Sequence, residues 1–256
     1  MSARTDAIVE WLRERLSQSG ARGFVVGLSG GVDSAVVARL CQAAAPANVL
    51  GVMLPCHGDP DDDAHARLAA DHFRIPAVRI DLAPVYDVFV EDLAYAADHL
   101  PEDQAAAPPA DALRARLPMA NVKARLRMAT LYFLANTMNY LVAGTGNRSE
   151  LAIGYFTKYG DGGVDLLPIG QLLKSEVRET ARELGVPDAI VDKAPSAGLW
   201  PGQIDEEDMG FTYDELERYL TKGAGAVAPA LAMRIERLTR QTEHKRTVPP
   251  TPDASI

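Results

Sequence analysis

Apolar residues recur at two different periods along the chain, and the alternation of those periods predicts the architecture. Ile8, Trp11, Leu12 and Leu16 share one helical face. They predict an opening amphipathic helix that Gly20 and Gly23 end. Residues 24–29, FVVGLS, form a short β-branched apolar run of the kind that makes a buried parallel strand. Further strands are predicted at 49–54 and 140–145, and in AVRID ending at Asp81. Helices are predicted between them: through AVVARLCQAAA, from the acidic stretch at Asp59–Asp63 to about Phe73, over 84–99, and over 119–138. Beyond the last strand, residues 147–170 read as a short helix and a glycine-rich loop. Helix 172–184 then stops at Gly185-Val186-Pro187. Loop 195–210 reads as flexible, Thr212 and Glu215 make a capping box for helix 213–220, and a final helix spans about 227–240. Strands alternating with helices predict one α/β domain, doubly wound, with a mostly parallel sheet and helices on both faces. The domain is expected over residues 1–248, with a proline-rich tail at 249–256 and an exposed Pro- and Ala-rich loop at 101–111.

Composition narrows the chemistry. The 256 residues are 47% hydrophobic and 24% charged, as in ordinary globular proteins. Lys plus Arg number 26 against 35 for Asp plus Glu, a net charge of −9, so the surface as a whole does not attract a polyphosphate backbone and no nucleic-acid partner is expected. Two cysteines, Cys41 and Cys56, are too few for a disulfide framework or a Cys-built zinc site, which points to a reducing cytoplasm. The charged N-terminus has no apolar core of a signal peptide, and Arg39, Gln42, Pro46 and Asn48 interrupt the most apolar stretch, so no membrane association is expected. The five histidines show no metal-binding spacing such as H-E-x-x-H.

The junction after the first strand carries the first chemical signal. Ser29-Gly30-Gly31-Val32-Asp33-Ser34 runs from a strand into a helix. Glycines let backbone approach a ligand closely, and successive N–H groups at a helix N-terminus face an anion. Ser29 and Ser34 add hydroxyls. Asp33 suits an anion site only if it holds a cation, for which Mg²⁺ is the natural candidate. Neither the GK[ST] of a Walker loop nor a G-x-G-x-x-G dinucleotide fingerprint is present.

SGGVDS resembles the loop of the ATP pyrophosphatase (PP-loop) superfamily, whose members split ATP between its α- and β-phosphates and adenylate an acceptor. Together with NVKARLRM at 121–128, GTGNRSELAIGYFTKYGDGGVDLL at 144–167 and PSAGLWPGQIDE at 195–206, it resembles the ammonia-dependent NAD synthetases from Phe24 to about Arg246. That resemblance implies an adenine nucleotide alpha hydrolase-like fold and a homodimer with the dinucleotide site at its interface. It also implies ATP-dependent amidation of deamido-NAD by ammonia, through an adenylated carboxylate, to NAD, AMP and pyrophosphate. Carried onto this sequence, it assigns ATP to Gly27, Leu28, Ser29, Gly30, Gly31, Val32, Asp33, Ser34, Thr145, Lys174 and Ser196. Mg²⁺ falls to Asp33 and Glu150. Deamido-NAD falls to Arg125, Lys158, Asp165, His244 and Lys245, with Arg125 near the dimer partner. Lys174 and Mg²⁺ stabilise the departing pyrophosphate, while Asp161 is a candidate for steadying ammonia or taking its proton. Relatives often carry Gln in the loop after the second strand, where this chain reads PCHGDPDDDA, and Thr at the position of Ser196.

Two other functions use the same loop. A sulfur-transfer enzyme acting on tRNA wants a reactive cysteine pair or a basic face, and this chain has neither in its pattern. A non-catalytic nucleotide sensor has no need for both Asp33 and Glu150. No glutaminase domain fits beside the synthetase in 256 residues, so free ammonia is the expected nitrogen donor. Loop 195–210 and the segment around His244–Arg246 are expected to order over bound substrates.

Overall fold

The computed structural model describes residues 2–101 and 112–252. Residues 102–111 of the expected loop and 253–256 of the tail therefore lie outside the described residues, and residues 248–252 carry neither helix nor strand. Four strands, β1 (Gly23–Gly27), β2 (Val49–Met53), β3 (Ala77–Arg79) and β4 (Tyr140–Val142), form one parallel sheet in the order β3-β2-β1-β4. In the register Phe24 lies beside Val49 and Gly23 beside Tyr140. The chain winds outward from β1 to β3 and then returns to the other side of β1. That reversal makes β1/β4 the switch point, where the crevice beyond the strands opens.

Alternation along β1 divides the core. Phe24, Val26 and Leu28 face α1 (Ala3–Ser19), α2 (Val32–Ala44), α3 (Pro60–Phe73), α7 (Lys174–Glu183) and α8 (Asp188–Val191), where Val9, Leu12, Val36, Ala69, Val177 and Ile190 are buried with them. Val25, with Val52 and Val142, faces α4 (Ala83–Asp98) and α5 (Ala112–Met138) through Tyr86 and Ala135. A period of two on a strand buried on both sides produces this double winding. A third cluster, built on Leu216 and Ile235, joins α6 (Arg148–Ile153), α9 (Asp205–Met209), α10 (Tyr213–Lys222) and α11 (Pro229–Gln241).

Several boundaries move. The long helix expected from 119 begins at Ala112, with Pro118 inside its early turns. The helix expected from 172 begins at Lys174, because Leu172 and the extended Leu173 are drawn into the core. The last helix starts at Pro229, a residue suited to the first helical position, after a 3₁₀ turn at Ala224–Ala226. The segment 195–210 is not a structureless loop: it ends in α9, whose Asp205 is buried.

Candidate active site

Beyond the carboxyl ends of β1, β2 and β4 lies a cleft of about 870 Å³, within the range of small-molecule sites. Gly27, Leu28, Ser29, Gly31, Val32 and Asp33 line it. Gly30 adopts φ +79°, and a Cβ there would stand 2.2 Å from the Asp62 carbonyl oxygen, so only glycine lets this turn pass under α3. Ser34 turns into the loop. Its hydroxyl donates to the Gly31 carbonyl at 2.9 Å and lies 3.2 Å from the Ser29 N–H that donates to it. Gly30 and Ser34 thus shape the turn, while their neighbours line the cleft.

Four elements converge on Lys174, the first residue of α7, which is 3% exposed. Its ammonium donates to Asp33 Oδ2 from α2 and, at 3.4 Å, to Glu150 Oε1 from α6. Asn147 Nδ2 donates to the other Asp33 oxygen at 2.9 Å. Asn147 and Glu150 also make the capping box of α6, so the Glu150 carboxyl both caps its helix and reaches Lys174. The Tyr213 ring stands 5.3 Å from the ammonium, and its hydroxyl donates at 3.0 Å to Asp205. Asp205, 3% exposed, also accepts from Tyr155 at 3.1 Å. Three carboxyls therefore surround one lysine.

The electrostatics follow from that count. Burial, together with repulsion from Asp33 and Asp205, pushes the Glu150 carboxyl up to about 8 against the pull of Lys174. Burial also raises Asp205. Lys174 is held well above its ordinary value: burial opposes its charge, and Asp33 and Glu150 overcome that opposition. An excess of negative charge at the N-terminus of a helix that faces a cleft fits a divalent cation. Among the described residues, no group of three or more His, Cys, Asp or Glu side chains is spaced to hold a metal alone. Magnesium characteristically takes one or two carboxylates and completes its shell with phosphate and water oxygens.

The opposite wall is different. On α5, Lys123 and Arg127 are one helical turn apart and share a face. Lys123 donates to the Leu199 carbonyl at 2.7 Å. Arg127 donates through Nε to the Leu54 carbonyl at 3.2 Å and through Nη2 to the Gly198 carbonyl at 3.2 Å. Burial lowers the pKa of both groups, and arginine keeps its charge regardless. These bonds, the Asp205 N–H to the Pro195 carbonyl at 3.1 Å and the Lys193–Asp62 ion pair hold the 195–204 segment across the cleft. The segment was expected to be flexible, and in the structure it is clasped. Ser196 lies on it at the cleft, exposed, with its hydroxyl accepting from the Gly198 N–H at 3.1 Å. Thr145, just past β4, lines the cleft as well.

The structure divides the residues assigned to the acceptor. Lys245 lines the cleft and donates to the Gly154 and Phe156 carbonyls at 2.8 and 2.6 Å. Arg125, Lys158 and His244 form a neighbouring group outside it. Arg125 donates to the Lys158 carbonyl at 3.4 Å, and Lys158 donates to the His244 carbonyl. Asp165 is also outside, accepting from Tyr132 at 3.0 Å and from the Val142 N–H at 2.8 Å. Asp161 opens onto the cleft, where one oxygen accepts from the Thr157 N–H at 2.8 Å. The surrounding protein raises its pKa against that bond and against the pull of Lys245 and Arg127.

Cys41 and Cys56 are both buried, and burial raises both thiols, so neither is poised for sulfur transfer. Sequence reasoning passed over Arg127, Asn147, Lys193 and Asp205. Arg127 and Asp205 lie inside NVKARLRM and PSAGLWPGQIDE, but nothing in one sequence says which charge of a charged run turns inward.

Comparison with known proteins places nearly the whole chain in one family. A model of the family described as NAD synthase matches residues 4–249. The chain is 49% identical over 249 residues to the NH(3)-dependent NAD(+) synthetase of Carboxydothermus hydrogenoformans, covering 97% of this chain and 96% of that protein. It is 46% identical to the enzyme of the same name from Syntrophomonas wolfei, covering 95% and 92%. Among solved structures, the NMN synthetase from Francisella tularensis superposes with a TM-score of 0.87 at 35% identity, covering 99% of each chain. The NH3-dependent NAD synthetase from Campylobacter jejuni gives 0.77 at 26% identity, covering 99% and 100%. These matches run over nearly the whole length of the chain: this chain belongs to the NAD synthase family.

Proposed function

We propose that this cleft performs the family's ATP-dependent amidation of deamido-NAD to NAD in two steps. The pyridine carboxylate attacks the α-phosphorus of ATP, the bond to the β-phosphate oxygen breaks, and pyrophosphate leaves. Ammonia then attacks the acyl carbon, the bond to AMP breaks, and the nitrogen sheds a proton. The observation that carries this reading is the meeting of Asp33 and Lys174 beside the glycine turn at the N-terminus of α2.

In this proposal the backbone from Gly27 to Ser34 cradles the phosphates, and Thr145, Lys174 and Ser196 add polar contacts. Asp33 and Glu150 hold Mg²⁺, which when bound neutralises charge on the leaving phosphates. Lys245 reaches the acceptor from the cleft wall, and Arg125, Lys158, Asp165 and His244 belong to its outer part. Asp161 handles ammonia. The working unit is residues 1–248, and 249–256 is a tail.

The protein is proposed to act as a cytoplasmic homodimer. On α4 and α5 the apolar Val85, Val88, Phe89, Met119 and Phe133 are exposed, Phe133 at 69%. An uncovered apolar face of this kind supports a partner surface. A second copy there would lie next to Arg125 on the same α5. No helix among the described residues is long and apolar enough to cross a membrane.

The likeness to the NMN synthetase supports a second reading, in which the acceptor is the mononucleotide acid whose amide is NMN. Pyrophosphate release by the purified protein with ATP, Mg²⁺ and ammonium, measured with deamido-NAD, with nicotinic acid mononucleotide and with neither, tests both. Release that depends on deamido-NAD, with NAD formed in equal amount, is the expected outcome. Preference for the mononucleotide selects the second reading, and release that ignores both acceptors overturns the two together.

A further inference from the structure

Two of the cations that line the cleft stand under opposite conditions. Lys174 is surrounded by carboxyls. Arg127, half-buried on α5, makes no ion pair among the described residues and is held only by the Leu54 and Gly198 carbonyls, through Nε and Nη2. Its Nη1 makes no hydrogen bond to the described residues and is not among the buried polar atoms left without a partner, so it is open to solvent, and Arg127 lines the cleft. Asp62 and Asp161 lie near enough to act on this guanidinium, yet neither is hydrogen-bonded to it; neutral carbonyls alone bond it, and it gains when an anion arrives.

The position says which anion. Leu54 follows β2 directly, and β2 pairs with β1, where Gly27 stands beside Val52. A nucleotide whose phosphates sit at the N-terminus of α2 and which runs across the ends of β1 and β2 meets Arg127 from the α5 side. Adenylation forces two anions together there, the acceptor carboxylate and the α-phosphate, and their repulsion is part of the barrier. The carboxyl-rich Lys174 end is matched to the departing phosphates and their cation. Resting on the proposed function, we infer that Arg127 is a catalytic residue: its guanidinium contacts the α-phosphate and the attacking carboxylate, while its Nη2 keeps Gly198 closed over them.

The test separates the phosphate that stays from those that leave. AMP carries the former and magnesium pyrophosphate the latter. Arg127→Gln keeps much of the reach and an N–H donor but removes the charge. By calorimetry it is expected to weaken AMP at least about tenfold and magnesium pyrophosphate by less than about threefold. In acceptor-dependent pyrophosphate release its kcat is expected to fall at least about 100-fold. Guanidinium chloride added to Arg127→Ala is expected to restore about tenfold of the lost rate, which a loop-holding role alone does not predict.

AMP affinity within about threefold of wild type overturns the proposal. So does a loss of kcat that guanidinium leaves untouched in a variant melting at the wild-type temperature. If the alanine variant does not fold, the AMP and pyrophosphate comparison on Arg127→Gln and Arg127→Lys decides. Wild-type protein inactive with either acceptor breaks the functional reading; normal wild-type turnover matched by Arg127→Gln breaks this proposal alone.

Discussion

The two walls of the cleft solve opposite electrostatic problems. Where α2, α6, α7 and α9 meet, Asp33, Glu150 and Asp205 crowd one ammonium. On the α5 wall, Lys123 and Arg127 meet backbone carbonyls and no carboxylate among the described residues. The first wall crowds carboxyls together and suits a cation; on the second the Arg127 guanidinium has no carboxylate hydrogen-bonded to it and suits an anion. In the proposed site magnesium ATP would bring both, and substrate rather than protein would complete the charge balance. The comparison also separates two kinds of lysine. Lys174 is a keystone whose removal leaves its neighbours uncompensated, whereas Lys123 secures one segment of chain.

The largest expected effect strikes the keystone. Lys174→Met leaves Asp33 and Glu150 facing each other in the interior, and it is expected to cost about 3–5 kcal/mol in denaturant unfolding without magnesium. Activity should fall at least about 1000-fold. Stability within about 1 kcal/mol of wild type would show that the carboxyls do not depend on this ammonium.

Next is the turn beneath them. Gly30→Ala is forced into φ +79° with its Cβ 2.2 Å from the Asp62 carbonyl. It is expected to lose at least about 2 kcal/mol and to bind ATP poorly. An alanine variant with wild-type melting temperature and ATP affinity would mean that α3 yields easily.

The pH dependence of the carboxyl-rich wall has a definite sign. Glu150 titrates near 4.5 in a free chain and is raised to about 8 in the fold. Between those values the unfolded chain gives up the proton that the folded chain keeps, so rising pH favours unfolding across that window. Below it the carboxyl is neutral in both states and this penalty is absent. Without magnesium, Glu150→Gln should therefore gain stability relative to wild type as pH rises from about 5 to about 8. Parallel stability curves for the two proteins would contradict the raised carboxyl.

The smallest effects are a hydroxyl deletion and a charge deletion at the edge. Tyr213→Phe removes the bond to Asp205 and is expected to cost about 1 kcal/mol, read from urea unfolding. Asp161→Asn should raise the ammonium concentration needed for half-maximal amidation more than it changes the requirement for ATP. Near-wild-type amidation at low ammonium would remove Asp161 from the mechanism.

Much of this was legible in the residues, and the exceptions share one cause. The β-branched runs and the glycine turn announced strands β1 and β2 and the helix after them, because local propensity and burial point the same way there. Glu150 was legible as a first-turn acid, and the structure shows it both capping α6 and reaching Lys174. The α9 helix was missed because four of its five residues, Asp205–Met209, are acidic and look like a solvated loop. Tyr155, fifty residues away, and Tyr213, eight residues on, are what make burying Asp205 tolerable. Arg125 and Arg127 are two residues apart on a helix, and only the direction of α5 across the sheet sends one outward and the other into the cleft.

By itself, the sequence determined the parallel α/β architecture, the glycine turn and the family's reaction, since these depend on short-range pattern and contiguous motifs. Tertiary structure decided the charge balance: which ammonium would be enclosed by carboxyls, which guanidinium would lack them, and how closely the 195–204 segment would be clasped. Those outcomes depend on groups brought together from opposite ends of the chain, and Coulomb interactions follow distance in space and exclusion of water, neither of which a linear pattern contains.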